Sequence, residues 1–371
     1  MKKILLSAIA LMATLVTGAQ VTETQSATLT LTDGTTTVYY GSDALVKAYN
    51  AAPNEGATIV LSSGTFSIVQ WRKAISIYGV AFENDATTNT KRTYITGGIE
   101  LLAQDLKSMD NLHFEGICFD GNFTFSNNTN NSGAPYTGIV IARCRFNNYV
   151  ANANVKDVTI RQCMVNGNVQ GNANFKAENL RVLNCWIAYR VCDFPTTETL
   201  MSTVLVDHCI TNNWASSSYS GWYSPQGPYR YTNCLIRQNV AAGGQMENCV
   251  MFAYNDTEVF PDNVVTNCIF GNGLATSSFF KDEIGNLDYS ADRTYELIDT
   301  YATAGNDDTM PGVHGGHGWN KVSSVPRITE ISIDKQHLWF YLDGKLYLET
   351  DVVTGNDVDG YRTPTGNFSI L

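Results

Sequence analysis

The sequence predicts an all-β fold: a solenoid of short stacked coils behind an N-terminal cap, followed by a partial β-sandwich-like segment. Three observations carry this. A cysteine-centred stretch of eight residues recurs between residues 112 and 270, at intervals near twenty. Only 16% of the 371 residues are charged, while 30 glycines and abundant Asn, Thr and Tyr supply turns and strands. Beyond about residue 328 the cysteines stop, and apolar and polar residues alternate around hairpin turns.

The chain opens on a cationic start, Met1-Lys2-Lys3. An apolar run from Ile4 to Val16 follows, broken only by Ser7 and Thr14, and then the small residues Thr17-Gly18-Ala19 before Gln20. This is the pattern of a signal peptide over residues 1–19. The run is too short to anchor permanently in a ~30 Å hydrocarbon core, and no later segment has the ~20 apolar residues of a membrane span. With no cysteine at the cleavage site, the expectation is a secreted, periplasmic or cell-surface bacterial protein. The net charge is −11 with no Lys/Arg block. Nucleic acid and anionic membranes both need clustered cations, so neither is expected as a partner. A hydrophobic content of 44% is enough for a sizeable core.

Residues 21–42 alternate around Asp33-Gly34 and read as a hairpin. Asp43 to Ala52 reads as a short helix with Asp43 at its N-cap, and Pro53-Asn54-Glu55-Gly56 as a turn. Short strands follow in ATIVLSSGTFSI, KAISIYGV and YITGGIELL. A helix laid over the open end of a solenoid protects its edge. Residues 121–135 read as a polar loop between coils.

The cysteines organise the rest. They occupy positions 118, 144, 163, 185, 192, 209, 234, 249 and 268, and all but Cys192 fall in one context. The copies are IVIARCRF, VTIRQCMV, LRVLNCWI, VLVDHCIT, YRYTNCLI, GQMENCVM and NVVTNCIF, with LHFEGICF around Cys118 a looser member. Successive cysteines of this set lie 26, 19, 22, 24, 25, 15 and 19 residues apart. Three residues before the cysteine, in every copy but the looser one around Cys118, stands Ile141, Ile160, Val182, Val206, Tyr231, Met246 or Val265. Immediately before it stands Asn184, Asn233, Asn248 or Asn267 in four copies. One strand per ~20-residue repeat marks a solenoid. The chain must turn near the Asn, so that coil stacks on coil ~4.8 Å apart, with an Asn ladder along the axis and a Cys ladder inside. No cysteine pair has zinc spacing, and stacked neighbours in parallel coils rarely meet disulfide geometry. The thiols are therefore expected to be buried and free, with nothing to make any of them a nucleophile.

This pattern resembles the right-handed parallel β-helix family of pectate lyases and related secreted carbohydrate-active proteins, over about residues 30–320. The resemblance rests on repeat spacing and ladders, and implies a polysaccharide partner. Lyases of that family hold calcium between Asp/Glu residues and use an Arg or Lys base, and its hydrolases use closely set Asp pairs. Here Asp307-Asp308 is the one pair, in a loop beyond the last clear rung. Asp157, Asp193, Asp207, Asp256, Glu258 and Asp262 are scattered, as are Lys156, Arg161, Arg181 and Arg237. Surface charge is the default for each. No cofactor is expected, calcium entering only if the protein is a lyase.

The strongest ligand-like feature is the stretch from Trp214 to Tyr231, WASSSYSGWYSPQGPYRY. Trp214, Tyr219, Trp222 and Tyr223, with Tyr229 beyond them, sit among Ser, Gly and Pro. Exposed aromatic faces grip sugar rings, so these are the candidate substrate-binding residues. The alternative is a loop packed inward on the solenoid. His314 and His317 in GVHGGHGWN suit a closing turn better than a metal pair.

From Ile328 the segment ITEISIDKQHLWFYLDGKLYLETDVVTGN reads as strands around an Asp343-Gly344 turn. Gln336, Leu338, Tyr341, Gly344, Val353-Thr354-Gly355, Thr363-Pro364-Thr365-Gly366, Phe368 and Ile370 are similar to the opening strands of YkuD-type L,D-transpeptidase domains. That family cross-links peptidoglycan through a cysteine in a Ser-His-Gly-Cys context further downstream. No cysteine follows Cys268 here, so no catalytic residue transfers, and residues 328–371 are expected to be an incomplete domain. Three functions follow: an exported solenoid that binds glycan or cell-wall polymer, a polysaccharide lyase or hydrolase, and a truncated peptidoglycan L,D-transpeptidase.

Overall fold

The computed structural model describes residues 25–84, 91–103, 109–126, 135–195, 200–212, 229–237, 244–253, 255–256, 264–281, 295–320, 328–332, 335–342 and 345–353. Its centre is a parallel β-solenoid. Among the described residues, a twelve-stranded sheet, a ten-stranded sheet and a five-stranded sheet run along its length, with a three-stranded sheet at a further corner. One coil is typified by Val140–Ala142, Arg145–Phe146 and Tyr149–Asn152, one strand in each of the three longer sheets. Each pairs in parallel register with the next coil: Ile141 with Ile160, Arg145 with Met164, Tyr149 with Val169.

The N-terminal cap closes the first edge. Ser26–Thr30 pairs antiparallel with Thr36–Tyr40 and with Glu55–Leu61, so the hairpin around Gly34 (φ 84°) covers the twelve-stranded sheet's end. Helix α1, Ala44–Ala51, buries Ala44, Leu45, Ala48 and Tyr49. Asp43 is its N-cap without a side-chain capping bond, and pairs instead with Lys47 at 2.8 Å. The helix's last carbonyls are satisfied by Lys73, whose Nζ donates to the oxygens of Tyr49 and Ala52, each at 2.7 Å.

The residue before each ladder cysteine makes the expected turn. Arg143, Gln162, Asn184, His208, Asn233, Asn248 and Asn267 all have φ between +48° and +52°. In this left-handed region Asn is tolerated, and other L-residues cost about 1–2 kcal/mol. The corner lets both the third residue before Cys and Cys itself point inward. Cysteines 144, 163, 185, 209, 234, 249 and 268 form the interior ladder, and successive backbone N–H groups donate to the next sulfur, as from Cys185 to Cys209 Sγ at 3.3 Å. All nine cysteines are free. Burial pushes the thiols of Cys144, Cys163, Cys209, Cys234 and Cys249 up, and that of Cys192 to about 12.

Three expectations change. Cys118 is not a rung: it pairs with Arg145, so Ile117 holds the ladder position and Cys118 points outward. The turn there is made by Gly116 (φ 71°), two residues before the cysteine rather than one. The corner asparagines do not ladder with each other; Asn184 and Asn233 reach outward instead. The asparagine stacking lies at another corner, where Asn148 Nδ2 donates to Asn122 Oδ1 at 2.9 Å and Asn148 Oδ1 accepts from Asn168 N at 2.8 Å. Within 121–135, Phe123–Ser126 is a strand. Phe123 and Phe125 are fully buried because their alternation faces the core, where Phe123 packs on Phe114, Phe119 and Phe146.

In the ten-stranded sheet, Ile117–Phe119 and the strands from Met164–Val165 to Val250–Met251 are buried on both sides. Outside it, Met164, Trp186, Ile210, Leu235 and Val250 form a second apolar cluster with Phe279, Phe280, Tyr295, Leu297 and Val313. Residues 295–320 thus lie as a strap along the solenoid. Further on, Ile328–Ser332, His337–Leu342 and Lys345–Asp351 form an antiparallel three-stranded sheet. The Val353-Thr354-Gly355 turn beyond Val353, and Thr363 to Ile370, lie outside the described residues.

Candidate functional site

The left-handed corner has three occupants that are neither Asn nor Gly: Arg143, Gln162 and His208. Such strain persists where the side chain has work that offsets it. Gln162 and His208 bond the strap itself, and Arg143 bonds Gln162.

Around the first two is a polar cluster on the twelve-stranded sheet's outward face. Glu115 is fully buried, with His113 Nε2 2.7 Å from its Oε2 and Arg143 Nη1 3.4 Å from its Oε1. Arg143 Nε donates to Gln162 Oε1 at 2.8 Å, and Gln162 Nε2 donates to the strap oxygen of Gly318 at 3.0 Å. The Tyr78 ring lies 5.0 Å from the His113 ring. Burial, then the Glu115 charge, pushes the Tyr78 hydroxyl up, so it stays a donor. Beside it, Arg161 has a buried Nε with no hydrogen-bond partner. A buried carboxylate balanced by two bases, next to an unsatisfied guanidinium N–H, is chemistry suited to a polar or anionic ligand.

The second cluster surrounds His208, which is 2% exposed. Its Nδ1 lies 3.0 Å from Asp207 Oδ2, and its Nε2 lies 3.0 Å from Thr309 Oγ1 and 3.4 Å from Asp307 Oδ2. Asp207 Oδ1 accepts from Thr232 Oγ1 at 2.6 Å and from Asn233 Nδ2 at 3.0 Å. Burial opposes its ionisation, yet the bonds from His208, Thr232 and Asn233 hold its carboxyl below the usual value. Asp207, His208 and Thr309 stand in the order of a carboxylate, base and nucleophile. But Thr309 Oγ1 donates to Asp307 Oδ1 at 2.7 Å and accepts from Gly316 N at 2.8 Å, so its proton is committed to a carboxylate. The cluster holds the strap rather than attacking a substrate.

Of the residues singled out by sequence, Trp214, Tyr219, Trp222 and Tyr223 lie outside the described residues, as do Glu258 and Asp262. Tyr229 is buried, and its hydroxyl accepts from Phe194 N at 3.2 Å. Asp207 and Arg161 come to the outward face. Lys156 pairs with Glu178 at 2.9 Å, Asp157 accepts from Asn179, and Asp193 faces Cys192. Arg181 is exposed on the same outward face, and His314 and His317 are exposed on the strap's turns. Among the described residues, no three His, Cys, Asp or Glu side chains are arranged to hold a metal ion. A cavity of about 480 Å³ at the cap is lined by Tyr49, Asn50, Ile68, Gln70, Arg72 and Lys73, but Lys73 is already committed to the helix carbonyls. Arg143, Gln162 and His208 each stand where four copies of the repeat have Asn before Cys, and that exception is the one sequence signal for them.

No protein-family model matches the chain, and no curated protein matches it by sequence. Among solved structures it is similar to the pectin methylesterase from Aspergillus niger in its deglycosylated form. The two are 12% identical, with 70% of this chain and 91% of that one covered at a TM-score of 0.31. The penultimately deglycosylated form of that enzyme aligns at 12% identity over 66% and 85% of the two chains, with a TM-score of 0.26. At these values the fold assignment rests on the strand registers.

Proposed function

We propose that the protein is exported and binds a carbohydrate polymer along the outward face of its twelve-stranded sheet. The observation that carries this is the unpaired, buried Nε of Arg161 within the Tyr78–His113–Glu115–Arg143 cluster. Successive coils repeat at ~4.8 Å, so the face offers an extended ligand evenly spaced coils, with Thr159, Arg161, Arg181, Asp207 and Arg230 among its outward positions. Arg143, Arg161 and exposed Arg181 favour an acidic polymer over a neutral one. In this reading Trp214, Tyr219, Trp222 and Tyr223 add aromatic contacts. The three-stranded tail is an accessory element facing the cell wall, supported by its resemblance to transpeptidase opening strands. Binding without turnover is favoured because Thr309, the hydroxyl next to a histidine, is tied to Asp307.

Affinity electrophoresis against acidic polysaccharides, neutral polysaccharides and purified peptidoglycan tests this. Retardation by an acidic polymer should weaken about tenfold in Arg161→Ala, the worth of one charge-assisted bond. It should be unchanged in Lys281→Ala, which removes an exposed cation away from that sheet, already paired with Glu296 at 2.6 Å. Binding equal in wild type and Arg161→Ala, or none to any polymer, would overturn the proposal. Release of shortened or unsaturated products would replace it with the lyase or hydrolase reading.

A further inference from the structure

The corner residues that face the strap act as one row. Gln162 donates to Gly318 O, Asn184 Nδ2 to Val313 O at 3.1 Å and Gly315 O at 2.7 Å, and Asn233 Nδ2 to Asn306 Oδ1 at 2.9 Å. Asn306 N donates back to Asn233 Oδ1 at 2.8 Å. In that row only His208 can change its charge near neutral pH.

A proton count around His208 is informative. The line Asp207–His208–Thr309–Asp307 contains three short contacts, of 3.0, 3.0 and 2.7 Å. Each needs one hydrogen between its heavy atoms. Thr309 supplies one: its hydroxyl has a single hydrogen and cannot serve both His208 and Asp307 as donor, and with Gly316 N–H on one lone pair its other lone pair is left to accept from the ring. A neutral imidazole supplies one more, leaving a contact without a hydrogen. An imidazolium supplies two, and the line closes.

We infer that the strap is held by a proton-linked clasp, closed when His208 carries both ring protons and weakened by one contact when it loses one. The groups facing the ring are Asp207 on its own coil and, from the strap, Asp307, Thr309 and the backbone of Gly315 and Gly316. Thr232 and Asn233 of the next coil bond Asp207, and Asn184 of the preceding coil bonds Gly315. The glycines are required for this fit: a Cβ on Gly315 would lie 2.7 Å from His208 Cδ2, and one on Gly316 would lie 2.9 Å from Nδ1. The hydrogen bonds from Thr309 keep the Asp307 carboxyl below its usual value against burial. Loosening the strap would uncover Trp186, Ile210, Leu235 and Val250.

Hydrogen exchange of the 304–318 segment in the full chain, corrected for intrinsic rates, tests the clasp between about pH 5 and pH 9, which spans imidazole titration. Protection should fall about tenfold with rising pH, the worth of one charge-assisted hydrogen bond. In Asp307→Asn the amide can donate to Thr309 while Thr309 donates to a neutral ring, so protection should stay high and pH-independent. His208→Gln, which cannot titrate, should give lower and equally flat protection. Nitrogen-15 spectra of the ring, assigned by loss of the signal in His208→Gln, should show both nitrogens protonated while the strap is protected. Flat protection in the wild type, a neutral ring under a closed strap, or an unchanged slope in Asp307→Asn would each overturn the inference.

Discussion

Asn233→Ala separates the two roles of the left-handed corner. Asn233 has φ 52° and is 3% exposed, and its side chain makes three hydrogen bonds, to Asp207, to Asn306 Oδ1 and from Asn306 N. Alanine keeps the unfavourable backbone region without the tolerance Asn has for it, costing about 1–2 kcal/mol. The lost bonds cost about 1 kcal/mol each, so the total is about 4–5 kcal/mol. Glycine relieves the backbone part, and Asn233→Gly should cost about 3 kcal/mol by the same reckoning. Asn248 has the same conformation, φ 51°, without a hydrogen bond to the strap among the described residues, so Asn248→Ala should cost only the backbone part, about 1–2 kcal/mol. Urea denaturation followed by tryptophan fluorescence is the assay, since Trp319 of the strap packs on Phe82 and Trp186. If Asn233→Ala and Asn248→Ala shift the midpoint equally, the strap bonds add nothing and the reasoning fails.

Two further outcomes are expected. Asp207 and Asp307 are both held below the ordinary carboxyl value, so their contribution is present above the unfolded value of ~3.9 and is lost as pH falls through the lower folded values. Acid unfolding of Asp207→Asn should lack part of that low-pH limb, and a limb identical to wild type would count against the assignment. Among the described cysteines only Cys268 is partly exposed. A maleimide should label it first in the native protein, with Cys144, Cys163, Cys185, Cys209, Cys234 and Cys249 reacting only after denaturation; early labelling of Cys209 would break the ladder.

The solenoid was legible because its signal is local and repeated: an inward apolar residue, a turn, an inward cysteine. The strap was not, because its bonds join residues as far apart as Gln162 and Gly318 and its own sequence has no period. Asn184 and Asn233 look identical to Asn248 and Asn267 in the repeat, yet among the described residues only the first pair bonds the strap. The polar cluster was half visible. Arg161 and Asp207 stand out as charged residues whose neighbours the sequence does not show, while Glu115 and Arg143 sit inside repeat copies whose pattern is dominated by the cysteine.

A strand with one apolar and one polar face cannot slip by a residue without exposing its core side. Ile117–Phe119 and the strands from Met164–Val165 to Val250–Met251 in the ten-stranded sheet escape that rule because each has a dry surface on both sides. At Cys118 the chain shows the result: the cysteine has moved one place along, Ile117 has taken the inner position, and Cys118 remains buried as a member of the outer apolar cluster. Pairing along that sheet must therefore be fixed by its neighbours, through the left-handed corners and the alternating twelve-stranded sheet. Single-residue insertions in the ten-stranded sheet should be tolerated where the strap covers it, and rejected at the corner residues.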